Sequence, residues 1–249
     1  MLESSMFDPH TFLGRVARYP LRLLPATSVM PILRGPLRGK KWIVSSQRHA
    51  FWLGSYEPEM QRLFVKVLKP GGVFYDIGAN VGFYSLLASQ LVGTGKVFAF
   101  EPSPENIRYM RRHLDINRCD NVEILDLAIC DREGYAYFAE DRTGSMGRLE
   151  GRGELQVRTS TLDALLRAQN IPPPDYLKMD IEGAEFQALL GARHCFQQYK
   201  PVLFLATHGR EVHRSCCELL NSWGYKIDFV RQQSEDRAEV FATYLSVIP

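Results

Sequence analysis

Val73-Phe74-Tyr75-Asp76-Ile77-Gly78-Ala79-Asn80-Val81-Gly82-Phe83-Tyr84-Ser85 is the stretch on which the fold of this chain turns. It opens after Gly71-Gly72 as a short apolar run, the signature of a buried strand. It then passes an acid and two spaced glycines and enters a helical pattern from Phe83 to about Val92. Strand, glycine turn and helix together make a nucleotide-binding corner. The glycines let the backbone approach a ligand closely, and the helix N-terminus presents unpaired N–H groups.

The same alternation continues outward. Val97–Glu101, Val122 to about Ala128, Tyr176–Asp180 and Pro201–Ala206 read as strands, with helical patterns beginning near Pro104, Leu162, Ala184 and Glu211. Strands separated by helices imply parallel crossovers and a doubly wound α/β sheet. Tyr225–Val230 and Val240–Val247 read as a closing antiparallel edge hairpin. Upstream, Pro58 fits the first position of a helix carrying Met60, Leu63, Phe64 and Val67. The glycine-rich segment from Asp141 to Gly153 reads as a loop. The chain divides at about 53/54 into a basic N-terminal extension and one α/β domain.

Composition narrows the class. At 249 residues, with 45% hydrophobic and 23% charged residues, the chain has enough apolar side chains for one soluble core. A net charge of +2 is too small to argue for nucleic acid. Five cysteines, an odd number with no C-x-x-C pair, point to reduced thiols in a cytoplasmic protein. No run is long and apolar enough for a membrane span. Up to Arg48 basic residues far outnumber Glu3 and Asp8, which reads as a solvated basic edge and, secondarily, as a surface for an anionic partner.

Charge selects the cofactor. A dinucleotide site wants G-x-G-x-x-G with pyrophosphate on the helix N-terminus. Here Asn80 replaces the middle glycine and Asp76 precedes the first. An acid beside pyrophosphate repels it, whereas an acid beside the ammonium and sulfonium of S-adenosylmethionine is attracted. Glu101, ending the next strand, can accept from ribose hydroxyls across the switch-point crevice. An NAD-dependent oxidoreductase is the alternative enzyme, and a non-catalytic protein retaining the fold is the other.

Three segments together, Asp76–Ser85, Phe100-Glu101-Pro102-Ser103-Pro104-Glu105-Asn106 and Leu177-Lys178-Met179-Asp180-Ile181-Glu182-Gly183-Ala184-Glu185, resemble the FkbM family of S-adenosylmethionine-dependent methyltransferases. Leu53–Glu57, Asp131–Gly134 and Thr161-Leu162-Asp163 match as well. The resemblance implies a class I methyltransferase (Rossmann-like) fold with seven strands in the order 3-2-1-4-5-7-6. It implies that Gly78, Ala79, Asn80 and Gly82 wrap the methionine part of the cofactor, with Tyr84 and Ser85 near its carboxylate. Glu101 then holds the ribose, with Pro102 beside the adenine and Asp126 and Ala128 on its other side. Glu57 is placed either against the cofactor or as a helix cap.

Alternation sets Lys178 and Asp180 on one strand face and Met179 on the other. Asp180 therefore points to the methyl end of the cofactor, with Glu182 in the following turn, Glu185 in the first helical turn and His208 just past the next strand. Histidine is the natural base for a hydroxyl proton near neutrality, and a carboxylate can orient the hydroxyl. The resemblance implies O-methylation of a hydroxyl on a sugar, glycan or secondary metabolite. No obligatory metal is expected, because Ala206 stands where the family commonly has an acid two positions before the histidine. Asp180 and Glu182 keep a divalent ion chemically possible. His49, His113, His194 and His213 are expected at the surface, Trp42, Phe51, Trp52 and Tyr56 as core and edge packing or a sugar platform, and a homodimer is open.

Overall fold

The computed structural model describes Pro25 and residues 27–140, 147–150, 155–234 and 237–245. In chain order the elements are β1 (Val29–Pro31), β2 (Lys41–Ile43), α1 (Ala50–Leu53), α2 (Pro58–Val67), β3 (Val73–Ile77), α3 (Phe83–Val92), β4 (Lys96–Phe100), α4 (Pro104–Asn117) and β5 (Val122–Leu125). There follow β6 (Ala128–Ile129), β7 (Gly134–Glu140), β8 (Gly147–Glu150), β9 (Leu155–Ser160), α5 (Leu162–Arg167) and β10 (Tyr176–Met179). The chain closes with α6 (Glu185–Leu190), α7 (Arg193–Tyr199), β11 (Val202–His208), α8 (Arg210–Ser222), β12 (Tyr225–Ser234) and β13 (Arg237–Tyr244).

The main sheet has seven strands in the order β12-β13-β11-β10-β3-β4-β5. Its first five members by sequence are parallel, and β13 pairs antiparallel with both β11 and β12. This is the class I methyltransferase topology, with the expected edge hairpin. Period-two alternation divides the core between the two faces. Tyr75, Ile77, Leu177, Met179, Leu203 and Leu205 face α6, α7 and α8, while Phe74 and Phe204 face α2, α3 and the N-terminal segment.

That N-terminal segment is built into the second core. Ile32, Leu37, Trp42, Val44 and Trp52 are buried in one cluster with Phe64, Leu86, Leu87 and Val97. His113 of α4 is fully buried there and not at the surface. Its ring stacks on Trp42 with centroids 3.7 Å apart. Its Nε2 accepts from the Ile43 N–H at 3.2 Å and its Nδ1–H donates to the Val81 carbonyl at 2.8 Å. His194 is exposed, His49 and His213 half-buried.

Three further expectations are corrected. The run from Val122 does not continue as one strand to Ala128. The Leu127 N–H donates to the Leu125 carbonyl at 2.9 Å, a tight turn that ends β5. Ala128–Ile129 then pair with Thr159–Ser160 in a second, four-stranded sheet of order β6-β9-β7-β8. The helix α7 was not anticipated, because it buries only Cys195 and Phe196 and carries little periodicity. Part of the 141–153 loop is strand, β8, paired antiparallel with β7; residues 141–146 and 151–154 lie outside the described residues. No helix among the described residues is long and apolar enough to cross a membrane, and all five cysteines are free thiols.

Candidate active site

A cavity of about 350 Å³ opens at the carboxyl ends of β3, β4, β10 and β11, where an open α/β sheet takes its ligands. Its floor is the turn after β3. Gly78 has φ +79°, and a Cβ there would sit 2.0 Å from the Asp180 carbonyl oxygen, so only glycine lets the two strand ends approach this closely. The Gly78 and Ala79 N–H groups both donate to Phe100 O. Glu101 holds the rest of the turn, accepting from the Asn80 N–H at 2.7 Å, the Ser103 N–H at 2.9 Å and Asn106 Nδ2 at 3.2 Å. Burial raises its pKa to about 7 against those bonds.

Asp76 is buried at the bottom of this end. Its Oδ2 accepts from Ser85 Oγ at 2.6 Å, and its Oδ1 is buried with no hydrogen-bond partner. Burial pushes its pKa up, opposed by Lys178 and the Ser85 bond. A buried carboxylate oxygen left open toward a cavity is the complement of a cationic donor such as an amino acid ammonium. Glu57 supplies a second acid. Its side chain makes no helix cap; it accepts from Tyr84 OH at 2.6 Å and lines the cavity.

The chemical end lies across β10 and β11. Lys178 Nζ, buried on the same strand face, sits 3.3 Å from Asp180 Oδ2 and 4.8 Å from the Tyr84 ring centroid. Burial works against both charges, but each partner outweighs it, so the Asp180 carboxyl is held below and the Lys178 ammonium above its ordinary value. Glu182 is in the left-handed region at φ 53°, which is uncommon for a side-chain-bearing residue. That turn brings its Oε2 3.3 Å from His208 Nε2 and 3.0 Å from Arg237 Nη2.

His208 is the last residue of β11 and not beyond it. Its Nδ1–H donates to Glu185 Oε1 at 2.8 Å, and its Nε2 lies 3.7 Å from Asp180 Oδ1. Glu185 is fully buried and does not line the cavity; it also accepts from the Ile181 and Gly183 N–H groups at 3.3 and 3.0 Å. Burial alone would lower the His208 pKa. The Glu185 bond and the charges of Asp180, Glu185 and Glu182 outweigh it and raise the value.

The structure thus gathers Glu57, Asp76, Gly78, Ala79, Asn80 and Tyr84 on one side of the cavity, with Glu101, Pro102 and Ala128 beside them and Asp180, Glu182 and His208 at the far end. Three expected cofactor residues do not line it. Gly82 packs on α4, where a Cβ would meet Met110 Cγ at 2.5 Å. Ser85 is spent on Asp76. Asp126 is exposed, displaced by the turn that ends β5. Sequence reading missed Lys178, Arg231 and Arg237 as lining residues. Lys178 was signalled by its alternation with Asp180; the arginines arrive through strand pairing and have no local signal. Trp42 and Trp52 are core, whereas Phe51 and Tyr56 stack on each other at 4.0 Å and reach the cavity. Above the turn, Gln47 Nε2 donates to Asn80 Oδ1 at 3.0 Å.

Asp180, Glu182 and His208 offer ligand atoms within 4.8 Å of one another, close enough for one cation to touch all three. Two of the three already carry a cation of the chain's own, Lys178 on Asp180 and Arg237 on Glu182.

A seven-stranded sheet of this order, with an acid-lined crevice at its switch point, defines a class I methyltransferase. Residues 76–227 match the methyltransferase FkbM domain, and the chain belongs to that family; its cofactor is S-adenosylmethionine. The dehydrogenase alternative is left without support. Among curated relatives, the hexuronic acid methyltransferase AglP of Haloferax volcanii is 25% identical over 59% of this chain and 61% of its own. The 2-O-methyltransferase NoeI of Sinorhizobium fredii is 26% identical over 54% and 63%. The 31-O-demethyl-FK506 methyltransferase FkbM of Streptomyces tacrolimicus is 27% identical over 50% and 60%. The chain spans about three fifths of the length of these relatives. In fold it is similar to methyltransferase FkbM of Methylobacillus flagellatus (TM-score 0.50, 17% identity, 79% of this chain and 55% of that one). It is also similar to precorrin-6y C5,15-methyltransferase of Geobacter metallireducens (TM-score 0.52, 16% identity, 77% and 90%).

Proposed function

We propose that this enzyme methylates a hydroxyl oxygen of a sugar, free or within a glycan or secondary metabolite, with His208 as general base. The observation that carries the reading is the Glu185–His208 pair, whose second nitrogen, Nε2, lies at the cavity between Asp180 and Glu182. The curated relatives include a hexuronic acid methyltransferase and a 2-O-methyltransferase, which supports an oxygen on a saccharide.

Asp76 and Glu57 would hold the cationic amino acid end of the cofactor, beside the Gly78–Asn80 turn. Glu101, which already accepts three hydrogen bonds within the turn, has one acceptor site left for a ribose hydroxyl. S-adenosylmethionine would supply the methyl group as an electrophile on sulfonium, with its thioether sulfur as leaving group. Glu185 fixes the imidazole tautomer so that Nε2 takes the acceptor's proton. Asp180, kept ionised by Lys178, orients the hydroxyl in line. The reading needs no metal, since the chain's own cations neutralise Asp180 and Glu182.

The test is methyl transfer to a panel of glycosides, read by mass spectrometry and by locating the methylated atom. An O-methyl sugar formed by wild type, undiminished by EDTA, and lost by ~10²-fold in Asp180→Asn with S-adenosylhomocysteine affinity retained supports the assignment. Methylation at nitrogen or carbon, or full activity in Asp180→Asn, overturns it.

A further inference from the structure

The ladder between β12 and β13 slips by one residue at Val230, so that Phe229 faces Val240 but Arg231 faces Glu239. In an unbroken strand Phe229 and Arg231 would share a face. The extra residue separates them. Phe229 turns to the α8 side, its ring 5.6 Å from that of His213. Arg231 comes onto the face of Ala206 and Glu239 and lines the cavity. Bulges beside active sites re-aim side chains in this way.

The Arg231 guanidinium makes no ion pair or hydrogen bond with a described residue, and neither does that of Arg48, which lines the same cavity from the N-terminal segment. Arg237, by contrast, is engaged by Glu182 at 3.0 Å. Glu239 stands opposite Arg231 in the ladder, yet no carboxylate among the described residues forms an ion pair with that guanidinium; a guanidinium so placed on a concave site is matched to a carboxylate or phosphate on the ligand. The cofactor's carboxylate is not that oxyanion. Arg231 lies four strands from β3, about 19 Å at the usual strand spacing, while the cofactor's amino acid end is drawn to Asp76 on β3 itself. Measured from His208 on β11, β12 is two strands away, about 10 Å, and the arginine side chain reaches back across part of that gap.

We propose that the acceptor carries an oxyanion, a carboxylate or a phosphate, and that Arg231 binds it while the hydroxyl meets His208. This rests on the saccharide reading above. The test titrates the full chain, saturated with S-adenosylhomocysteine, with D-glucuronate, glucose 1-phosphate and D-glucose. At least one anion is expected to bind about tenfold tighter than glucose, and which one does so distinguishes carboxylate from phosphate. Arg231→Gln is expected to bring that anion level with glucose while S-adenosylhomocysteine affinity stays unchanged, and Arg231→Lys to retain part of the preference. Equal binding of all three sugars, or a preference that survives in Arg231→Gln, overturns the proposal alone. Failure of all three to bind while S-adenosylhomocysteine binds overturns the saccharide reading and the proposal with it.

Discussion

His208 meets three carboxylates through its two nitrogens, and its pKa is set by a contest between burial and their charges. The charges prevail, so the imidazole stays protonated above the ordinary value of 6.5. A base must lose that proton before it accepts another, so the acid limb of kcat/KM is expected above pH 6.5. Glu185→Gln removes the largest opposing influence and lets burial pull the value down. Its acid limb should move to lower pH, with activity reduced because the tautomer is no longer enforced. An unmoved limb in that variant would detach His208 from the proton transfer. His208→Gln should lose roughly 10²–10⁴-fold in kcat.

Among the elements, α4 does two jobs through one residue. His113 spans from the Ile43 N–H of β2 to the Val81 carbonyl beside the glycine turn, and burial lowers its pKa to about 4. Between that value and 6.5 the unfolded chain binds the proton and the folded chain does not. Stability from His113 is therefore complete above pH 6.5 and lost as pH falls toward 4, a change on the order of 3 kcal/mol. Urea melts should show wild type exceeding His113→Phe by a margin that narrows over this window. A margin constant with pH would mean that the buried imidazole is not what titrates. The residue was misplaced at the surface because histidine usually is polar and exposed; its position three residues after Met110, on the apolar face of α4, was the available signal.

The parallel strands were readable because a strand buried on both faces is written as an uninterrupted apolar run between glycine turns. The second sheet was not. Val122–Ala128 looks continuous, and only the turn at Leu127 sends Ala128–Ile129 to a different partner. The site divides along the same line. Asp76, Gly78, Glu101 and Asp180 sit at strand ends whose roles follow from local pattern. Arg231 and Arg237 come from the far end of the chain, and a one-residue bulge decides which face Arg231 joins.

At the scale of the whole molecule, the boundary near residue 53 separates charge patterns but does not separate cores. Trp42 and Trp52 pack in one cluster with Phe64 and Leu86. Deleting them would expose a large apolar surface on α2 and α3, and removing single buried aromatic side chains already costs about 3–5 kcal/mol. A chain starting at Gly54 is expected to be insoluble or to melt without cooperativity in circular dichroism. A sharp transition near the wild-type Tm would show that residues 1–53 form a separable cover.

The Gln47–Asn80 hydrogen bond joins the N-terminal wall of the cavity to the glycine turn after β3. Two ligands that share such a joint cannot bind independently. If an occupied cofactor site steadies Asn80 and through it Gln47, acceptor affinity rises by some factor, and cofactor affinity must rise by the same factor when the acceptor is present. Gln47→Ala should reduce that mutual enhancement equally in both directions, measurable as a paired set of dissociation constants. The cavity wall would then act as a reciprocal gauge, each half of the reaction registering whether the other has arrived.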